Sequence, residues 1–185
     1  MVRFYSPRLL IIGSGFTIIG SLMDNQKGKY VYDWPRPMVT VDAVVFAFFK
    51  GRPKVLLVNR GNEPFKGKWA LPGGFIGMDE ELEDAVTREL AEETGLTNVP
   101  LEQMHTFGKC GRDPRGRQIS VAFMGIATKG TDKIRGGDDA QEAKWFDIEE
   151  LPGNMAFDHN EVIRFGVKKI KENRNIPPHK FTIAF

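Results

Sequence analysis

The sequence contains one cysteine and three histidines. Cys110 has no partner for an internal disulfide, so a reducing compartment such as the cytoplasm is compatible with the chain. The histidines are too dispersed along the sequence for a zinc motif. We therefore expect structural roles for all four residues, which are Cys110, His105, His159 and His179.

The sequence also lacks a strongly biased charge. The formal net charge is +2, and no basic run is interleaved with aromatic residues, which argues against a nucleic-acid surface. Neither an internal repeat nor a low-complexity linker interrupts the chain. With 185 residues, 41% hydrophobic and 27% charged, the composition is that of one globular domain.

The apolar stretch near the N-terminus, residues 9–20, is short for a membrane span, although it imitates the core of a signal peptide. Met23 opens a polar segment that leads directly into the rest of the domain. We therefore expect residues 1–22 to be an N-terminal apolar extension and residues 23–185 to form the functional domain. A cytoplasmic protein with no membrane partner is the favoured interpretation.

Carboxylates are crowded at helical spacing in the segment GFIGMDEELEDAVTRELAEETGL, which runs from Gly74 to Leu96. Its apolar spacing predicts a helix of about four turns that begins near Asp79 or Glu80. The helix should end at Gly95, because glycine adopts the left-handed conformation of a helix C-cap. The glycines before it, Gly73, Gly74 and Gly77, are expected to form a turn that allows the backbone to approach a ligand closely.

Three glutamates of this helix, Glu89, Glu92 and Glu93, are spaced to leave one face within a single turn. Their mutual repulsion requires compensation. Arg88 could supply it by pairing with Glu80, and so could Mg²⁺ or Mn²⁺, which take oxygen ligands and bind substrate phosphates. The alternative is that these residues form the solvated face of an amphipathic helix.

The segment resembles the signature of the Nudix hydrolases, GX5EX7REUXEEXGU with U a bulky aliphatic residue, and fills every fixed position. The resemblance implies an α/β protein of the Nudix fold, with a mixed β-sheet sandwiched between α-helices. It also implies a metal-dependent hydrolase that uses Mg²⁺ or Mn²⁺ and cleaves a pyrophosphate in a small nucleotide.

The resemblance also implies roles for individual residues. Glu89 and Glu93 match the main metal ligands, and Glu92 matches a further ligand or a carboxylate that activates water. The backbone carbonyl of Gly73 matches a group that often completes the metal shell. A structural ion pair is expected between Glu80 and Arg88.

Outside the glutamate-rich helix, β-branched and aromatic runs predict strands. The first two, with a turn at Gly51-Arg52-Pro53, are expected to form a hairpin. A second helix is predicted from about Asp158 to Asn173, with Phe165 and Ile170 on its apolar face. The predicted strand segments are 39–49, 54–59, 69–76 (broken at Pro72-Gly73-Gly74), 101–107, 118–128 and 143–146.

The general base is expected on either of two segments. Asp138, Asp139 and Glu142 lie in a glycine-led segment where Nudix hydrolases often carry a catalytic acidic residue, and we favour Asp139 and Glu142 among them. Glu92 is the rival in the helix. Three arginines provide planar, bidentate donors for phosphate or ribose, and these are Arg60, Arg112 and Arg115.

A weaker resemblance, over residues 30–185, links the chain to the ADP-ribose pyrophosphatase branch of the family. It is carried by the segments Pro35-Arg36-Pro37, Arg112-Asp113-Pro114-Arg115-Gly116 and Phe157-Asp158-His159, among others. It implies cleavage of ADP-ribose to AMP and ribose 5-phosphate. One departure from that branch concerns Pro114, which lies a few positions farther from the glutamate-rich helix than the proline that marks some ADP-ribose hydrolases.

Two alternatives remain open at this point. One is hydrolysis of oxidised nucleotides, NADH or dinucleoside polyphosphates, which the shared signature also allows. The other is a non-catalytic domain that senses ADP-ribose and regulates transcription. Such regulators carry a C-terminal winged-helix domain, which we do not expect here because the sequence ends at Phe185. A homodimer is compatible with either activity.

Overall fold

The computed structural model describes residues 32–129, 131, 134–137 and 140–172. The predictions for residues 1–22, Asp138, Asp139 and His179 therefore lie outside the described residues. The chain divides into two compact units, residues 1–36 and 37–185. In the first unit, the guanidinium of Arg36 lies 3.7 Å from the centre of the Tyr32 ring. The second unit contains all the strands and helices described below.

The described part of the second unit contains strands and helices in the order that the sequence predicts for an α/β protein. The strands are β1 (Met38–Phe49), β2 (Arg52–Arg60), β3 (Trp69–Ala70), β4 (Gly73–Phe75), β5 (Leu101–Phe107), β6 (Gln118–Ile126) and β7 (Ala140–Asp147). The helices are α1 (Leu82–Thr94), between β4 and β5, and α2 (His159–Glu172), after β7.

Strand β1 lies at the centre of one mixed sheet. It pairs in parallel with β6 and antiparallel with β2 and β4, while β5 continues the sheet beyond β6. Strand β2 pairs with β3 and β7. The predicted mixed sheet is confirmed.

The two faces of β1 bury different side chains, because successive residues of a strand point to opposite sides. Val41, Ala43 and Val45 belong to one apolar cluster with Val86 and Leu90 of α1. A second cluster joins Val44 and Phe46 with three residues of α2, which are Val162, Ile163 and Ile170. The sheet is therefore covered by one helix on each face, as the resemblance implied.

The hairpin between β1 and β2 turns at Lys50 and Gly51, and not at Gly51-Arg52-Pro53 as the sequence suggested. Both turn residues have positive φ, 52° and 84°, a conformation that suits the twist of two-residue hairpins. Arg52 and Pro53 already belong to β2, where Pro53 lies opposite Phe48.

The glycines expected to form a turn are also placed differently. Gly73 and Gly74 belong to strand β4, opposite Asp42 and Val41 of β1. The helix that follows begins at Leu82, with Glu81 as N-cap, and not at Asp79 or Glu80. The carboxylate of Glu80 accepts a hydrogen bond from Gly77 N–H instead of capping the helix.

Helix α2 spans 14 residues and α1 spans 13. Within the described ranges, no helix is both long and apolar enough to cross a membrane. The predicted contribution of Ile170 to the apolar face of α2 is confirmed, since this side chain is buried against the sheet. Phe165 stacks on His105 of β5, with the ring centres 4.5 Å apart.

The C-cap of α1 yields a prediction about stability. Gly95 has φ 69°, as expected for a left-handed cap, and its N–H donates to the Ala91 carbonyl at 2.9 Å. Gly95→Ala should lower the free energy of unfolding by about 1–2 kcal/mol, because a Cβ is disfavoured in this conformation. Urea denaturation measures the change. Gly153→Ala is the matched control, since a Cβ there meets no atom within 4 Å, and an equal loss in both variants would contradict the prediction.

Candidate active site

A cavity of about 270 Å³ opens beside the C-terminal half of α1. Helix α1 lines one side of it with Arg88, Glu89, Glu92 and Glu93. Polar side chains of β1, β6 and the β5–β6 connection line the other side. The cavity thus lies between the predicted carboxylate face and groups that the sequence does not obviously bring together.

The two glycines of strand β4 lie close to β1 and to Glu89 of α1, where an added side chain would crowd its neighbours. A Cβ on Gly73 would overlap the carbonyl oxygen of Val41, and a Cβ on Gly74 would overlap the carboxylate of Glu89. The Gly73 N–H donates to Oε2 of Glu93 at 3.0 Å. The glycines therefore allow close approach between backbone and carboxylates, as expected, but from a strand.

Two of the carboxylates are held away from water. Glu93 is 8% exposed, and this burial raises the pKa of Glu93 to about 8, although the hydrogen bond from Gly73 acts in the opposite direction. Burial also raises the pKa of Glu89, against the effect of Arg88. Desolvated oxygen donors of this kind favour a bound proton or a cation.

Arg88 connects the carboxylates of the site. Its Nε and Nη2 donate to Glu80 at 2.7 and 2.9 Å, which confirms the predicted ion pair. Its Nη1 also donates to Glu89 at 2.8 Å and to Glu92 at 3.0 Å. Part of the predicted repulsion on this face is therefore compensated within the protein.

The donor set of α1 suits a hard divalent cation by its chemistry. Glu89, Glu92, Glu93 and the Gly73 carbonyl offer only oxygen, which Mg²⁺ and Mn²⁺ prefer. Among the described residues, no group of three or more His, Cys, Asp or Glu side chains is already gathered at metal-binding geometry. The residues present fit the expected ion by type.

A buried polar network forms the wall opposite α1. The Ser120 hydroxyl donates to the carboxylate of Asp42, and Nη2 of Arg112 lies 3.8 Å from the same carboxylate. Nε and Nη2 of Arg112 donate to Asp158 at 3.0 and 2.6 Å, a bidentate pair whose arginine side chain is only 3% exposed. This geometry fixes the Arg112 guanidinium, which the sequence suggested as a substrate-binding group.

His159 joins that wall to the segment between β3 and β4. Its Nδ1 accepts the Leu71 N–H at 2.8 Å, so the proton of the neutral ring is on Nε2, which faces Asp42 at 3.6 Å. Burial lowers the pKa of His159, which keeps the ring neutral. His159 therefore holds the backbone of Leu71 at the cavity wall, which is a structural role.

Arg115 and Arg60 surround the ring of Phe157. The guanidinium of Arg115 lies 5.0 Å from the ring centre of Phe75 and 5.4 Å from that of Phe157, and Arg60 lies 5.1 Å from Phe157. Phe157 holds this position with φ 51°, an uncommon conformation for a bulky residue. Asp113 pairs with Arg115 at 2.7 Å. Burial acts to raise the pKa of Asp113, but the hydrogen bonds from the side chain and backbone of Arg115 outweigh this effect, so the pKa is lowered.

Most of the predicted site residues line the one cavity. Glu142 is exposed on β7 opposite Asn59, and it is not among the lining residues in the part of the chain that the structure describes. Asp139 lies outside the described residues. The predicted site residues that do line the cavity are Arg60, Gly73, Glu89, Glu92, Glu93, Arg112 and Arg115.

Sequence reasoning assigned no role to several residues that line the cavity. Thr40 and Asp42 are polar residues in the otherwise apolar run of β1, and Gln118 opens the apolar strand β6. Buried polar positions in strand patterns are the signal that could have identified them. Asp113 and Phe157 carry no comparable signal, because they lie outside the strands and helices.

Comparison with known proteins gives a consistent assignment. Residues 36–165 match the model of the NUDIX domain. An ADP-ribose pyrophosphatase of Methanocaldococcus jannaschii is 42% identical over 128 residues, which are 69% of this chain and 72% of that protein. The ADPR responsive transcriptional repressor NtrR of Acinetobacter baylyi is 34% identical over 71% of this chain, and the alignment spans 54% of the repressor.

A solved structure with bound ligand is also similar. The NUDIX domain of Shewanella oneidensis NrtR, complexed with ADP ribose, superposes with a TM-score of 0.67 at 35% identity. The match covers 74% of this chain and 90% of that one. The predicted fold is therefore confirmed.

The Glu80–Arg88 pair yields a prediction about pH. Hydrogen bonds from Arg88, and then from Gly77, lower the pKa of Glu80 from 4.5 to about 2. Because the folded pKa lies below the unfolded one, the stabilisation is fully present above about pH 4.5 and is lost as the pH falls toward 2. Glu80→Gln should therefore be less stable than wild type at pH 7, and the difference should shrink through this window.

Urea denaturation of both proteins between pH 7 and 3 measures this difference. Glu83→Gln, which removes an exposed carboxylate from the first turn of α1, is the matched control for the lost negative charge. A difference between wild type and Glu80→Gln that is constant across the whole range would count against the assignment.

Proposed function

This chain belongs to the Nudix family, and we propose that it hydrolyses the pyrophosphate bond of ADP-ribose, giving AMP and ribose 5-phosphate. The observation that carries the proposal is the contact between β4 and α1, where Gly73 N–H bonds Glu93 and Gly74 leaves room for Glu89. It places the Gly73 backbone and the Glu89 and Glu93 carboxylates together on one side of the cavity. The similarity to an ADP-ribose pyrophosphatase supports the choice of substrate.

The residues that would hold Mg²⁺ or Mn²⁺ are Glu89, Glu93, Glu92 and the Gly73 carbonyl. When bound, the ion neutralises charge on the diphosphate and polarises it toward attack by water. Burial of Glu89 and Glu93 strengthens their interaction with a cation, because little solvent competes for their oxygens. Arg88 keeps Glu89 and Glu92 on the cavity side of the helix.

The arginines on the opposite wall suit the anionic and planar parts of the substrate. Arg60 and Arg115 lie against the Phe157 ring, where their guanidinium planes are held by aromatic contacts and by Asp113. Arg112 offers its remaining N–H donors from a fixed position, because Asp158 holds its Nε and Nη2. A fixed guanidinium loses little conformational entropy when an anion binds.

We propose Glu92 as the general base ahead of Glu142. Glu92 lines the cavity, its side chain is 44% exposed, and water can therefore reach its carboxylate. Glu142 is exposed on β7 and is not among the described residues that line the cavity. Asp139 stays a prediction from the sequence.

A second candidate function is binding of ADP-ribose without turnover, as a sensor that acts with a nucleic-acid partner. The similarity to a transcriptional repressor favours it. The complete set of carboxylates on α1 favours catalysis instead. A cytoplasmic location remains part of the proposal, and the exposed thiol of Cys110 suits a reducing compartment.

The substrate is tested by comparing kcat/KM for ADP-ribose, NADH, 8-oxo-dGTP and a dinucleoside polyphosphate with Mg²⁺ and with Mn²⁺. ADP-ribose should give the highest value, because two walls of the cavity can bind its two halves around a central diphosphate. A value at least tenfold higher for another nucleotide overturns the substrate and leaves the hydrolase standing. Tight calorimetric binding of ADP-ribose without turnover of any nucleotide would instead establish the sensor.

The roles of the carboxylates are tested with amide variants. Glu93→Gln should lower kcat by orders of magnitude and weaken Mg²⁺ binding, because a buried charged ligand is lost. Glu92→Gln should lower kcat by about 10²- to 10⁴-fold, the usual contribution of a general base, with a smaller change in metal affinity. Glu142→Gln is the comparison variant. If it loses the activity and Glu92→Gln retains it, the base lies on β7.

A further inference from the structure

Gln118 carries a buried oxygen without a partner. The residue opens β6, is 3% exposed and lines the cavity. Its Nε2 donates to Oγ1 of Thr40 at 3.1 Å, whereas its Oε1 has no hydrogen-bond partner in the described part of the chain. Leaving a buried amide oxygen unpaired is costly, and native proteins leave few such groups. A bound molecule is one way to satisfy it.

The oxygen belongs to a polar area that is confined to the cavity. Thr40 lies opposite Ser120 in the parallel pairing of β1 with β6, so Thr40 and Gln118 face the same side of the sheet. Farther along the strands, the same face carries the apolar side chains Val44 and Ala122, which belong to the core under α2. The polar area therefore ends where the cavity ends.

The chemistry of the oxygen restricts what it can recognise. An amide oxygen accepts hydrogen bonds and donates none. Phosphate oxygens of a diphosphate are also acceptors near neutral pH and would be repelled. The oxygen therefore suits an uncharged N–H or O–H donor on the base or on a sugar of the nucleotide.

An aromatic ring that lines the same cavity as Gln118 favours the base. Phe75 lies opposite Thr40 in the antiparallel pairing of β1 with β4, so its ring is on the same face of the sheet as Gln118. The residue is 44% exposed, and Arg115 lies against its ring at 5.0 Å. Aromatic and guanidinium planes bind heterocyclic bases by stacking.

We propose that Gln118 Oε1 accepts a hydrogen bond from the exocyclic amine of the substrate's base, which stacks on Phe75. Gln118 thereby sets the specificity for an aminopurine over a purine that carries hydrogen in place of the amine. This inference deepens the proposed function and rests on it for the identity of the nucleotide. It places the base beside β6 and the diphosphate beside α1.

The test compares ADP-ribose with an analogue in which hydrogen replaces the 6-amino group of the base. Wild type should prefer ADP-ribose by about tenfold in kcat/KM, the effect of one neutral hydrogen bond. In Gln118→Leu, which removes the acceptor at similar volume, this preference should disappear, so that the ratio of the two kcat/KM values is about 1. Gln103→Leu, at an exposed position of β5, is the matched control and should keep the wild-type preference.

A second variant keeps the test informative if Gln118→Leu does not fold. The wild-type amide can rotate about its terminal bond to offer Nε2 to a 6-oxo group, whereas an ionised carboxylate in Gln118→Glu only accepts. Because burial raises the pKa of a carboxyl group, the comparison is made at a pH where the carboxyl group introduced in Gln118→Glu is ionised. Gln118→Glu should therefore discriminate against the hypoxanthine analogue at least tenfold more than wild type does. Equal discrimination by both proteins would overturn the proposal.

The remaining outcomes are also decisive. If wild type does not distinguish the two nucleotides, or if Gln118→Leu keeps the full preference, Oε1 is satisfied by water and the proposal fails. If Gln118→Leu instead loses the ability to distinguish ADP-ribose from a 2′-deoxyribose analogue, the donor is a sugar hydroxyl and the assignment of the base fails. Where no nucleotide is turned over, the same ratios are measured as Kd by calorimetry, so that loss of the proposed hydrolysis is separated from loss of this contact.

Discussion

The hydrogen bond from Gly73 N–H to Glu93 is the interaction on which the site depends. It ties a three-residue strand, which pairs with β1, to the last turn of α1. His159 holds the same segment from the other side by accepting the Leu71 N–H. The chain that enters the short strand is thus held by buried side chains of both helices. The position of the carboxylates relative to the sheet follows from these two contacts.

The C-terminal end and the carboxylate face of α1 could be predicted because their determinants are local, whereas its start was predicted two or three residues too early. The spacing of Glu89, Glu92 and Glu93 and the cap at Gly95 depend only on helix geometry, and the structure places them as expected. The pairing of Glu80 with Arg88 is likewise short in sequence. By contrast, Gly73 and Gly74 were expected in a turn. A strand of three residues has too few side chains to show an alternating pattern, and its pairing with β1 depends on contacts about thirty residues away in the sequence.

The opposite wall could not be predicted for the same reason. Asp42 contacts Ser120 and Arg112, and Arg112 pairs with Asp158. The partners are 46 to 78 residues apart in the sequence. Each of these residues alone resembles an ordinary polar position. Only the parallel pairing of β1 with β6 shows that Asp42 and Ser120 share one face of the sheet. Burial of the Arg112–Asp158 pair also means that either partner alone would be left as an uncompensated charge.

The positive φ of Phe157 affects which residues can replace it during evolution. The left-handed conformation that places its ring between Arg60 and Arg115 is one that glycine or asparagine adopts more readily. Selection for heat resistance alone would therefore enrich these small residues at the position, whereas selection for growth that depends on the activity would retain the ring. Position 157 is thus a site where directed evolution under the two pressures should diverge.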